Sequence, residues 1–76
     1  MSQIGKNLLT ALKLKYMSEI QSATATLNIY ITNPVGIGEH PQHLEEMDKL
    51  IDTIATNQDK LDALRTYIDK IIETNP

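Results

Sequence analysis

The sequence predicts an all-α protein: two long antiparallel helices forming a helical hairpin, packed into a helical bundle by self-association. Three observations carry that prediction. Residues 47–71 hold an apolar seam in heptad register, and residues 9–30 repeat apolar side chains at helical spacing. Between them lies "NPVGIGEHPQHLEE", Asn33 to Glu46, where helix-breaking residues gather. The chain reads as one domain, with a helix over about 3–32, a turn over 33–40 and a helix over about 41–74.

In the first helix, Leu9, Leu12, Tyr16, Ile20, Ala23, Leu27 and Tyr30 follow helical spacing, with Leu8 and Ile31 on their flanks. A competing pattern runs through "TATLNIYIT", Thr24 to Thr32. There Ala25, Leu27, Ile29 and Ile31 alternate strictly with Thr24, Thr26, Asn28, Tyr30 and Thr32, as in a half-buried strand. The chain offers no second strand to pair with it, and an isolated strand edge invites aggregation. A helix from about Gln3 to Thr32 is therefore expected.

Asn33 and Pro34 end that helix, because the residue before a proline is pushed out of the α region. Gly36 and Gly38 give the turn backbone freedom, and Pro41 suits the first position of the next helix, where its missing N–H is not needed. Glu45, Glu46 and Asp48 follow near the positive end of the helix dipole. Only Glu39, His40 and His43 have no structural task here, which leaves the turn open as a contact surface. A His/His/carboxylate set suits Zn²⁺ or Fe²⁺. His40 precedes a proline and lies outside the helical spacing, so no metal is expected. A ligand- or metal-binding module centred on residues 33–43 is the alternative to an interaction role.

The second helix has the clearest pattern. Met47, Leu50, Ile54, Asn57, Leu61, Leu64, Ile68 and Ile71 alternate spacings of three and four, with Asn57 the single polar member. Leu44, Ile51, Tyr67 and Ile72 widen the stripe, which fits a helix that touches two neighbours. Thr56 and Asn57, with Asp59 following, could cap a new helix. The seam keeps its register through that point, so one continuous helix is expected, with Asn57 fixing the register at some cost in stability.

Composition narrows the classes of function. At 76 residues the chain buries only about 60% of its unfolded surface, a marginal core by itself. Small scaffolds compensate with disulfides, metal or oligomerisation. The chain has no cysteine, which excludes disulfides, thiolate zinc sites and cysteine nucleophiles and leaves oligomerisation. With three Tyr as the whole aromatic inventory and a net charge of −3, no nucleic-acid partner is expected. No run approaches the roughly 18 apolar residues of a membrane span. Lys13 and Lys15 interrupt the apolar N-terminal segment that a signal peptide would need. That segment, "IGKNLLTALKLKYM", holds three lysines and no acid and could lie on an anionic membrane. The simpler expectation is that its leucines pack on the acidic second helix, since residues 1–33 balance to +2 and residues 34–76 to −5. A soluble cytoplasmic protein without membrane contact is expected.

No catalytic constellation emerges. "GIGEHP" lacks the third glycine of a dinucleotide fingerprint and the lysine of a P-loop. Ser2, Ser18 and Ser22 lie far in sequence from either histidine, and no nucleophile elbow surrounds them. No enzyme activity and no cofactor are expected.

The segment "NPVGIGEHP", followed by an acidic amphipathic helix, resembles a group of small uncharacterised helical-hairpin proteins encoded by tailed phages of marine bacteria. The likeness centres on Tyr30–Pro41 and extends loosely over most of the chain. It implies a helical hairpin, a phage or marine origin, and a place in the host cytoplasm or the virion. It implies no activity.

The reading that results is a non-enzymatic interaction or assembly protein that forms a homo-oligomer, a dimer or tetramer, with an unidentified protein as a further possible partner. The residues expected to pack in the oligomer are Leu50, Ile54, Asn57, Leu61, Leu64 and Ile68, with Leu12, Tyr16, Ile20 and Leu27 opposite.

Overall fold

A computed structural model describes residues 2–33 and 42–74, with the side chains of 69 and 71–74 excepted. Two helices make up the fold, α1 over Gln3–Thr32 and α2 over His43–Thr74. They pack along their lengths as an antiparallel hairpin, and among the described residues there is no strand. The all-α hairpin expected from the sequence is therefore the architecture of the chain.

α1 starts at a well-formed cap. Ser2 has extended backbone angles, φ −66° and ψ 159°, and its Oγ accepts from the Gly5 N–H at 2.9 Å. That satisfies one of the orphan donors of the first turn and is worth about 1 kcal/mol. The Ser2 carbonyl takes the first helical bond, from the Lys6 N–H at 3.0 Å. At the other end Asn33 leaves the helix, φ −148° and ψ 63°, while its N–H still donates to the Ile29 carbonyl at 2.9 Å.

The alternating segment Thr24–Thr32 is helical throughout. Its threonines tolerate this because their hydroxyls bond within the helix. Thr26 donates to the Ser22 carbonyl at 3.0 Å and Thr32 to the Asn28 carbonyl at 2.7 Å. Of the residues that a strand would have placed on one face, only Leu27 turns toward α2. Ile29 and Ile31 stay exposed, on opposite flanks of the helix.

α2 carries Glu45 and Glu46 in its first turn, where the dipole favours anions. Glu46 also pairs with Lys49 at 3.6 Å, an exposed contact of little energetic weight. The helix runs unbroken through Thr56, Asn57 and Asp59. Gln42 lies in a turn just before it, and the expected first helical residue, Pro41, is outside the described residues, as are Pro34, Gly36, Gly38, Glu39 and His40.

Helices of 30 and 32 residues are about 45–48 Å long at 1.5 Å per residue. Side by side they make a bar of 56 × 17 × 15 Å, two helices wide and one thick. Its radius of gyration is 17.1 Å, against about 11 Å for a compact domain of this length. Such a shape leaves little interior. Among the described residues only Ala23 and Asn57 are buried, and no large side chain is enclosed.

Candidate interaction surface

Two contacts fix how the helices face each other along the bar. Near the turn, the Tyr30 and His43 rings meet edge to face, with centroids 5.5 Å apart and planes at 79°. Towards the open end, Lys60 Nζ lies 5.6 Å from the centre of the Tyr16 ring, a cation–π contact. Between and beyond these, residue n of α1 stands level with a residue near 76 − n of α2.

The seam between the helices is built by the periodic positions. Tyr16, Ile20 and Leu27 of α1 and Leu50, Ile54, Leu61, Leu64 and Ile68 of α2 are partly covered and Asn57 is buried, whereas Leu12 stays exposed. Except for Asn57, all of these keep a substantial share of their surface open to solvent. The residues expected to pack in an oligomer, Leu12 apart, are thus already partly covered within one chain.

Successive residues advance about 100° around a helix, so the bar has two broad sides with different characters. Lys15, Glu19, Asp52, Thr53, Thr56 and Lys60 line one open cleft and define a polar back. Lys13 and Arg65 line another, with Leu61, Leu64 and Ile68, on the opposite side, the front.

Beyond Lys13, Asp62 and Arg65 towards the turn, the middle of the front carries no charged residue among the described residues, and Asp48 lies at its outer edge. It is built from Met17, Ile20, Thr24 and Ile31 of α1 and Leu44, Met47, Ile51 and Ile54 of α2. Leu44 is 80% exposed, Ile31 62%, Ile51 51% and Met17 47%. A smaller apolar group, Ile4, Leu8 and Tyr67, occupies the back near the open end. The sequence already marked Leu44, Ile51 and Tyr67 as widening the stripe. Met17 escaped notice, although Met17, Thr24 and Ile31 recur every seven residues, as do Leu44, Ile51 and Gln58 on the facing helix.

The exposed area is large for the mass. The chain shows 6007 Å² to solvent, whereas a compact monomer of 8.5 kDa exposes about 4,700 Å². The surplus of about 1,300 Å² exceeds the roughly 800 Å² that each partner buries in a stable interface.

Of the residues weighed for metal binding, Glu39 and His40 lie outside the described residues, and His43 stands against the Tyr30 ring. Among the described residues no group of three His, Asp or Glu could hold a metal ion, and no helix is long and apolar enough to cross a membrane. No protein-family model, curated protein or solved structure matches the chain.

Proposed function

We propose that the protein is a non-enzymatic interaction and assembly element that works as a homo-oligomer, hairpin packed on hairpin in a helical bundle. One observation carries this reading: a folded bar with almost no interior exposes about 1,300 Å² more than a compact chain of its mass. Burying apolar area contributes about 25 cal/mol per Å², so a second layer of helices supplies the core that two helices lack. The most distinctive surface is an uncharged apolar side, which suits association better than chemistry.

The likeness of the Asn33–Pro41 segment to phage-encoded hairpins extends the reading to virion assembly or binding of a host protein, in the host cytoplasm or the virion. The deciding experiment is light scattering on a sizing column over a hundredfold range of concentration, paired with circular dichroism. A helical dimer or tetramer supports the proposal. A helical monomer at every concentration removes it.

A further inference from the structure

We infer that a second copy of the chain docks on the front, whose turn-proximal half is its apolar part, with the two hairpins parallel and their turns at the same end. The inference rests on the self-association proposed above and specifies the face and the orientation.

The face follows from charge. Burying an ion without a partner is costly, and the back places Lys15, Glu19, Asp52 and Lys60 around its centre. The front offers Ile31, Leu44, Ile51 and Met17 with no charge among them. The occupant follows from area and symmetry. One whole side of a bar 56 by 17 Å covers about 950 Å², close to the roughly 800 Å² per partner of a stable interface. A two-fold dimer joins like surface to like, and an uncharged apolar face is complementary to itself.

The orientation follows from where the apolar half ends. Hairpins overlapping head to tail would set Ile31, Leu44 and Ile51 against the half of the partner that carries Lys13, Asp62 and Arg65. Hairpins related by a two-fold axis along the bar bring apolar half to apolar half. Each α1 then faces the partner's α2 at the same level, given the pairing of Tyr16 with Lys60 and of Tyr30 with His43. Ile31 of one copy meets Leu44 of the other, Thr24 meets Ile51, and Met17 meets Gln58. Further out, Lys13 of one copy stands level with Asp62 of the other, opposite in sign. All neighbouring helices run antiparallel, as in an up-and-down bundle.

The cysteine-free chain allows a direct test. Two single-cysteine variants, Ile31→Cys and Leu44→Cys, the second carrying a C-terminal extension so that the two homodimers and the heterodimer differ in mass, are mixed, allowed to exchange, and oxidised, and the products are separated on a non-reducing gel. Disulfide-linked heterodimers in clear excess over homodimers are expected. A yield no higher than that of a Leu8→Cys and Leu44→Cys mixture overturns the orientation. In parallel, Ile51→Lys on the front and Leu8→Lys on the back are compared by light scattering and circular dichroism. Association at least tenfold weaker for Ile51→Lys alone is expected. Wild-type association in both variants overturns the front as the docking face and leaves self-association standing. A wild-type chain that stays a helical monomer overturns both proposals. Should Ile51→Lys lose its helicity, the cross-linking yield decides.

Discussion

Asn57 donates its side-chain amide to the Thr53 carbonyl, one turn back in the same helix, at 2.8 Å. The most buried polar residue among those described thus has a side-chain partner within its own helix. The Thr53 carbonyl also accepts the backbone N–H of Asn57 in the helical ladder, so the side-chain bond is an addition that can be removed without orphaning a backbone group.

Asn57→Leu should therefore raise the thermal midpoint of the hairpin, since apolar area replaces a desolvated amide at a position 7% exposed. The same change should loosen the choice of oligomer, because a polar seam residue penalises misaligned packings. Melting followed by circular dichroism checks the first effect and sizing at several concentrations the second. A lowered midpoint would show that the amide stabilises the seam.

Leu61→Ala tests the seam from the other direction. Leu61 is only partly covered, so the loss should lie near the low end of the 2–5 kcal/mol typical of buried leucines, about 2 kcal/mol. Urea titration at fixed protein concentration measures it. In a chain with so small an interior that loss is a large share of total stability. An unchanged midpoint would refute the placement.

Among the described residues Ala23 is the most buried, at 4% exposure, so a larger side chain there must push into the space between the helices. Ala23→Leu should cost about 1–3 kcal/mol by overpacking, although leucine is a good helix former. Ser22→Leu, at an exposed neighbour in sequence, serves as control and should change stability by less than about 0.5 kcal/mol. Chemical denaturation of the two variants side by side reads the difference.

The association itself should respond weakly to salt. The proposed contact is uncharged over its apolar half, and the exposed pairs elsewhere are screened and weak to begin with. Raising sodium chloride from 50 to 500 mM should change the dissociation constant by less than about fivefold, as measured by sedimentation. A change of a hundredfold would point to the charged back as the contact.

Much of the fold was legible in the sequence because helix and turn signals agree with one another. The heptad seam from Met47 to Ile68 and the proline after Asn33 point to two helices, and both helices are present. The alternation in Thr24–Thr32 pointed the other way and lost, for a physical reason. A strand gains nothing without a partner, whereas Thr26 and Thr32 satisfy their hydroxyls inside a helix. The interaction surface was only half legible. Spacing showed that the α2 stripe was too broad for one neighbour, but not which flank stays open. That depends on the level at which α1 and α2 pair, a property of the pair of helices that neither one encodes alone. Met17 was overlooked because it falls outside the main stripe of its own helix and joins an apolar group only beside Ile51 and Ile54.

The constant-sum pairing of α1 with α2 has a mechanical side. Tyr30 and His43 are joined by a short stretch of chain, whereas Tyr16 and Lys60 close a loop more than three times as long. Loop closure costs more entropy as the loop grows, so contacts near the turn are the least expensive to form and the last to be lost. The hairpin behaves as a zipper whose slider rests at the turn, opening from its free ends inward. Its open end can fray and reclose while the apolar half beside the turn keeps its shape, so a partner gripping that half need not let go.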